Sequence, residues 1–374
     1  MAALPPVLEL ARELVAFDTI NPPGREEDCA AYLGALLESA GLAVRRFEFA
    51  HGRTSLIAEL SGSGERPPLC FTGHIDTVPL GAQPWTRAPF GEIAQGRLYG
   101  RGSSDMKAGV AAFVHAACQL ARRRGRSGGL VLVITAGEET GCEGASDLVK
   151  RGVLGKAGAV IVAEPSANYP YVGHKGALWL KGRARGKTAH GSMPERGDNA
   201  VYKAACAVLK LADYHFNLAP HALLGRATLN IGTISGGLNI NSVPDAADLT
   251  VDIRTVPGQA HGRARESLQS YLGSDIALET LVDVPAIASD ERHPWVQEVF
   301  GLMAGYLSEN PRPRGATYFT DAAYLTPAYG APPTVILGPG EPELAHQTDE
   351  YCVIAKLEQA AQAFEAIGAR WCGA

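Results

Sequence analysis

No two of the seven cysteines in this 374-residue chain form a C-x-x-C unit, and their number is odd. A zinc ribbon, a thioredoxin-type redox pair and a fully paired disulfide framework are therefore excluded. Cys29, Cys70, Cys118, Cys142, Cys206, Cys352 and Cys372 lie mostly in apolar stretches, where a free thiol behaves as a small buried hydrophobe; a reducing, cytoplasmic setting is expected. No apolar run approaches the roughly 20 residues of a membrane-spanning helix. The first residues lack a basic start and are broken by Glu9, Arg12 and Glu13, so they read as an amphipathic helix rather than a signal peptide. There is no basic excess: 34 Lys and Arg stand against 39 Asp and Glu, a net charge of −5, which argues against a nucleic-acid partner. Low-complexity segments and internal repeats are missing too. A G-x-S-x-G elbow is absent, which speaks against a serine hydrolase. The nearest approach to a phosphate loop, ending Gly186-Lys187-Thr188, has Lys181 where the pattern demands glycine.

What is present is the composition of a folded enzyme, 46% hydrophobic and 20% charged. Helices are expected at 5–18 and 25–40, and strands around 44–49 and 54–60. Short, almost wholly apolar runs follow at 69–72, 130–135 and 157–163, which read as strands buried on both faces. Helices at 107–123 and 145–150 alternate with them. The order implies an α/β fold, an open mixed sheet with helices on both faces. Near residue 173 the texture changes to strands at 177–185, 228–234 and 247–254 with helices at 199–211 and 263–272. From about 286 the α/β texture returns, with a helix at 293–306, a strand at 334–337 and a helix at 354–370. The expected organisation is a discontinuous catalytic domain, 1–173 and 285–374, interrupted by a smaller α+β domain, 174–284.

The chemically capable residues cluster where apolar strands end, the place where open α/β sheets bind ligands. His74 and Asp76 follow the first such strand, Glu138 and Glu139 the second, and Glu164 the third. Asp105 sits in a glycine-rich turn before a helix, and His346 lies beyond the last strand. One acid at a strand end is ordinarily a solvated turn residue or a helix cap. Five such places, each offering a metal-type ligand, point to a site. Two histidines with several carboxylates suit a Lewis-acidic divalent metal; part of the set serves one ion, and the whole set serves two sharing a carboxylate. Asp76, two residues from His74, is placed to hold the far nitrogen of a ligating imidazole. The side chains of adjacent Glu138 and Glu139 diverge, so one can bind metal while the other handles a proton.

Gly73-His74-Ile75-Asp76-Thr77-Val78-Pro79, Gly100-Arg101-Gly102-Ser103-Ser104-Asp105-Met106-Lys107, Gly137-Glu138-Glu139-Thr140-Gly141 and Glu164-Pro165-Ser166 together resemble the motifs of the dinuclear zinc aminoacylase/carboxypeptidase family. That family includes acetylornithine deacetylases, succinyl-diaminopimelate desuccinylases, aminoacylases and glutamate carboxypeptidases. The ending Leu337 to Tyr351 is most like acetylornithine deacetylases, and the likeness runs from the first helix to the last. The resemblance implies two divalent ions, zinc with cobalt or manganese as alternatives. His74 and Glu164 would hold one ion and Glu139 and His346 the other, with Asp105 between them and a non-proline cis peptide at Asp105–Met106. Asp76 would orient His74, and Glu138 would be the general base toward a water bridging the ions. In the inserted domain, which the resemblance makes a dimerisation and lid element, His190 would donate to the oxyanion in a partner subunit's site. Arg254 would grip a substrate carboxylate and Asn241 would be a polar substrate contact. The expected partners are a small N-acyl amino acid or short peptide and a second copy of the chain. The expected activity is deacylation of an N-acyl amino acid, with a dipeptidase or carboxypeptidase as the alternative. Where relatives carry a Gly-Gly-Thr-Ser-Asp-like loop, this chain has Tyr318-Phe319-Thr320-Asp321-Ala322, so substrate contacts do not transfer there. Trp85 and Phe90 read as core aromatics, with a pocket wall as the other reading.

Overall fold

The computed structural model describes residues 4–374. Among the described residues two compact units emerge, residues 4–173 with 288–314 and 320–374, and residues 174–287 with 315–319. In chain order the first segment gives α1 (Val7–Ala16), α2 (Glu27–Ser39), β1 (Ala43–Ala50), β2 (Arg53–Leu60), β3 (Leu69–His74), β4 (Phe90–Ala94), β5 (Arg97–Gly100), α3 (Ala108–Ala121), β6 (Leu130–Thr135), α4 (Glu143–Arg151) and β7 (Ala159–Val162). The middle gives β8 (Gly173–His174), β9 (Gly176–Arg185), α5 (Ala200–Ala212), β10 (Thr228–Gly236), β11 (Ala246–Thr255), α6 (His261–Leu272) and β12 (Ile276–Val284). The last gives β13 (Ile287–Ala288), α7 (Pro294–Met303), α8 (Ala322–Ala328), β14 (Thr334–Ile336), β15 (Tyr351–Val353) and α9 (Ile354–Cys372).

The first unit is built on a six-stranded sheet of order β1-β2-β6-β3-β7-β14. Its centre, β6-β3-β7-β14, is parallel, and β1 and β2 are antiparallel additions at one side. Every residue of β3, β6 and β7 is buried, as continuous apolar runs demand of a sheet covered on both faces. Helices α1, α3 and α9 pack on one another in one group, while α4 packs with α8. Helix α3 is rich in alanine, and a Cβ on its Gly109 would stand 2.0 Å from the Ala163 carbonyl oxygen. That closeness places the helix start against the chain just beyond β7.

In the second unit, a four-stranded antiparallel sheet of order β10-β11-β9-β12 carries α5 and α6. Strands β9 and β11 alternate buried and half-exposed residues, the pattern of a sheet with one covered face. Ala204, Ala207, Leu211, Leu268 and Leu272 from the helices close on Leu180, Leu249, Val251 and Ile253 from the strands. Asn199 caps α5, its side-chain oxygen accepting from the Val201 and Tyr202 amides at 3.0 and 3.2 Å.

Several elements escape a reading by periodicity. Strands β4, β5 and β15 are at most five residues long, and β12 alternates weakly because most of it is exposed. Helix α8 is seven residues and contains Pro327. Phe90 is 42% exposed and Trp85 is half-buried, its indole donating to the Leu80 carbonyl at 3.0 Å. Neither is a core aromatic; a short edge strand and an open loop leave them at the surface. Six of the seven cysteines are buried, all seven are free, and Cys206 is exposed.

Candidate metal centre

Three parallel strands end side by side and deliver the site. β3 stops at His74 and β6 at Thr135; the Ile75 amide donates to the Thr135 carbonyl at 2.9 Å, keeping the two ends in step. After β6 the chain turns at Gly137, whose φ of +76° is glycine territory. The Gly141 and Cys142 amides then donate back to the Glu138 carbonyl at 2.8 and 2.9 Å, and this tight turn presents Glu138 and Glu139. Glu164 lies two residues past β7. Asp105 sits in the irregular turn Ser103–Lys107 ahead of α3, and the Asp105–Met106 peptide is cis. His346 comes from the loop before β15.

The two carboxylate oxygens of Asp105 face different histidines, Oδ1 at 3.2 Å from His74 Nε2 and Oδ2 at 3.4 Å from His346 Nε2. His74 Nε2 is also 3.7 Å from Glu164 Oε1 and 4.0 Å from Glu138 Oε2. His346 Nε2 is 3.1 Å from Glu139 Oε2. Two groups thus have the compactness of metal sites, His74 with Glu138 and Glu164, and His74 with Asp105 and Glu139.

The chemistry of this donor set fits cations. His74 Nδ1 lies 2.9 Å from the Asp76 carbonyl oxygen and 3.4 Å from its Oδ1. Donating there, the ring turns a lone pair toward three carboxylates, an arrangement that needs a proton or a cation between them. Among the described residues no lysine or arginine pairs with Asp105, Glu138, Glu139 or Glu164, and the buried Glu139 Oε1 has no hydrogen-bond partner. Without a cation, protons stand in. Burial pushes Glu138 well above the carboxylate range, and Glu164, Glu139 and Asp321 add to this against the pull of His74. Burial likewise raises Glu164 and Glu139. For Asp105, hydrogen bonds from His346 and His74 outweigh burial and hold it well below that range. Hydrogen bonds to Asp105 and then Glu139 push His346 up to about 10.

Two buried acids hold this constellation by its backbone. Asp76 Oδ1 accepts the Glu138 amide at 3.1 Å and Oδ2 the Glu139 amide at 3.3 Å, so it fixes the glutamate turn as well as His74. Glu350 accepts the amides of Gly102, Ser104 and Asp105 at 3.1, 2.8 and 3.0 Å and Arg101 Nη1 at 2.6 Å. It ties the Asp105 turn to the chain four residues past His346. Neither backbone role has a signature in residue spacing. Asp321 is also buried, hydrogen-bonded to Thr135 Oγ1, and burial raises it to about 6; it belongs to the stretch that departs from the family loop.

The other three candidates lie in the second unit. His190 is exposed, its Nδ1 2.7 Å from Ser192 Oγ. Its strand segment bridges Ser242, and the Gly191 amide donates to the carbonyl of Asn241 at 2.7 Å, so His190 and exposed Asn241 occupy one corner. Arg254 is at the far end of β11, paired with Asp252 at 3.0 Å, with the rings of Trp179 and Phe319 6.0 and 5.8 Å from its guanidinium carbon.

Residues 70–369 match the model of peptidase family M20/M25/M40. A probable succinyl-diaminopimelate desuccinylase of Staphylococcus aureus is 30% identical over 96% of this chain and 98% of its own length. An acetylornithine deacetylase of Myxococcus xanthus is 32% identical over 99% and 98%. Among solved structures, an M20 metallo-carboxypeptidase of Sulfolobus solfataricus superposes with a TM-score of 0.83 at 19% identity, covering 99% of this chain and all of that one. A dinuclear metal-binding M20 peptidase of Bacillus subtilis gives 0.73 at 16%, with 98% of each chain covered. Both have the same fold. The chain belongs to peptidase family M20/M25/M40 and is a metal-dependent hydrolase of amide bonds.

Proposed function

We propose that the chain deacylates a small N-acyl amino acid, as an acetylornithine deacetylase does, with two divalent cations in its strand-end site. The observation that carries this reading is the pair of Asp105 oxygens turned toward two different histidines, each with a further carboxylate at hand. His74 and Glu164 would hold one cation, Glu139 and His346 the other, and Asp105 both. The donors suit zinc, with cobalt and manganese as alternatives. Bound there, the ions supply Lewis acidity toward water and the amide carbonyl.

The remaining chemistry falls to this chain's side chains. Asp76 fixes the His74 ring through Nδ1. Glu138, buried among other carboxylates, has the raised proton affinity of a general base. It accepts a proton from the attacking water and passes it to the leaving amine. Arg254 offers a fork to a substrate carboxylate, and Asn241 offers an amide. His190 donates to the developing oxyanion. Arg254 lies at the C-terminal end of β11, whereas His190 pairs with Ser242, ahead of the start of that strand. That separation supports His190 serving the site of a second copy. The outer edge of β10 and exposed Ile234, Leu238, Ile240, Tyr202 and Leu209 supply a face for such a copy. The second unit, taken as 174–284 from the sequence, would then be a dimerisation and lid element of a homodimer, and the unpaired thiols support a cytoplasmic location.

A carboxypeptidase or dipeptidase is the second reading, favoured by the fold shared with the Sulfolobus metallo-carboxypeptidase. The test is turnover by protein reconstituted with zinc, cobalt or manganese on N-acetylornithine, N-succinyl-diaminopimelate, other N-acyl amino acids and dipeptides. A preference for an N-acyl amino acid, lost on chelation, supports deacylation. A preference for peptides selects the second reading, and hydrolysis that survives complete metal removal overturns both.

A further inference from the structure

Asn21 lies in the loop between α1 and α2, about 50 residues or more from every acid and histidine of the site, yet it is 3% exposed and reaches the centre. Its Nδ2 is 2.9 Å from Asp76 Oδ2 and 3.0 Å from Thr140 Oγ1. The direction of these bonds is determined. Asp76 is a carboxylate and only accepts. The single Thr140 hydroxyl proton goes to Glu143 Oε2 at 2.7 Å, so Thr140 accepts from Asn21 as well. The amide NH2 of Asn21, with two protons on one nitrogen, satisfies both neighbours without bringing in a charge. The loop is held in turn by the Asn21 amide, which donates to the Thr77 carbonyl at 2.7 Å, and by Thr19 Oγ1, which donates to the Ile75 carbonyl at 2.6 Å.

These contacts form a closed frame. Asp76 accepts the Glu138 and Glu139 amides and borders the His74 ring. Thr140 is the next residue of the same turn, and Asn21 bridges from Asp76 to it. The glutamate turn is thereby pinned at three successive residues, two through Asp76 and one through Asn21. An Asp76 carboxylate lacking its side-chain donor is held only by the Glu138 and Glu139 amides and the His74 ring, so any turn about χ2 shifts those amides with it. Groups behind metal ligands and bases matter by this route, typically by about 10- to 100-fold in affinity or activity.

We propose that Asn21 is a positioning residue for the hydrolytic site: through Asp76 and Thr140 it sets the turn that presents Glu138 and Glu139. The inference rests on the metal-hydrolase reading of the site and names a residue that touches neither metal nor substrate in that reading.

The test compares wild type, Asn21→Ala, Asp76→Ala and the double variant, with zinc affinity measured by chelator competition and kcat and KM on the best substrate of the panel. Asn21→Ala is expected to weaken zinc binding about 10- to 100-fold and to lower kcat in similar measure, with KM within about threefold of wild type. In the Asp76→Ala background, removing Asn21 is expected to weaken zinc binding by a clearly smaller factor than in the wild type, because one of its two routes to the turn is already gone. Zinc affinity and kcat within threefold of wild type in Asn21→Ala would overturn the proposal, as would losses that multiply in the double variant. Should Asn21→Ala not fold, Thr140→Val removes the other end of the bridge and is expected to weaken zinc binding in the same direction; unchanged binding in it overturns the proposal equally. Because zinc affinity is read without substrate, a wrong substrate assignment shows as absent turnover with the Asn21 effect intact.

Discussion

The two units treat their functional side chains in opposite ways. In the first, Asp76 and Glu350 are fully buried and between them accept five backbone amides of the segments that carry Asp105, Glu138 and Glu139. In the second, His190 and Asn241 are exposed at a loop corner, and the ring of His190 has one neighbouring hydroxyl, that of Ser192. A cluster of carboxylates is costly to assemble, so its backbone must be fixed before a cation arrives. A donor that meets substrate from a second copy has no reason to be organised within its own chain. The contrast separates a preorganised centre from an exposed group that, on the proposed reading, meets substrate only in an assembly.

Replacing Glu138 by Ala tests the organised side most severely. The turn is set through backbone amides, which the substitution retains, so zinc content is expected to stay at the wild-type level. If Glu138 is the general base as proposed, its loss is expected to lower kcat by roughly 10²- to 10⁴-fold. Metal analysis beside steady-state kinetics checks this. Near-normal turnover would remove Glu138 from the mechanism, and loss of metal would make it a ligand, as its closeness to His74 and Glu164 allows.

The exposed side breaks differently. His190→Ala is expected to lower kcat by roughly 10²- to 10³-fold, the effect of removing one oxyanion donor, without altering metal content. If His190 acts across a dimer, an equal mixture of exchanged Glu138→Ala and His190→Ala subunits regains activity. The mixed dimer then has one site with an intact base and an intact donor from its partner, about a quarter of all sites. Activity no higher than the sum of the two variants would place His190 in its own chain's site or outside the reaction.

The same contrast explains what the sequence made legible. His74, Asp105, Glu138, Glu139, Glu164 and His346 stand beside apolar strands or glycine turns, and such punctuation survives in a linear reading. The order of buried strands was equally plain, because β3, β6 and β7 have no polar face to confuse them. Asn21 and Glu350 were not legible. They act on backbone amides or a carboxylate about 55 and 245 residues away, and no periodicity records a partner at that distance. The Asp76 side chain was expected to hold the His74 nitrogen; its backbone carbonyl is the nearer group, and its carboxylate turns mainly to the glutamate amides. Arg254, expected to grip a substrate carboxylate, has Asp252 as a neighbour at 3.0 Å, a consequence of alternate residues of one strand sharing a face.

The smallest expected effect concerns stability, and its sign follows from the direction of the shifts. Glu138, Glu139 and Glu164 bind protons more tightly folded than unfolded, as do His74 and His346. Between the ordinary carboxylate range and the raised values, these five groups hold more protons in the folded metal-free protein than in the unfolded chain. Stability must then fall as pH rises through that window. Asp105 has the opposite sign, but its depressed value confines its effect to more acidic solutions, and His174 and His115, lowered by burial, oppose the trend only below the ordinary histidine value of 6.5. A cation replaces those protons and removes the dependence, since metal binds the deprotonated ligands better as pH rises. The midpoint of thermal unfolding of chelated protein is therefore expected to decline from about pH 7 to about pH 9, while the gain on adding zinc grows over the same range. Differential scanning at matched ionic strength measures both. A zinc-induced gain that is flat or shrinks with pH would mean that the ion does not displace the protons of this carboxylate–histidine cluster, and the preorganised centre would lose its electrostatic rationale.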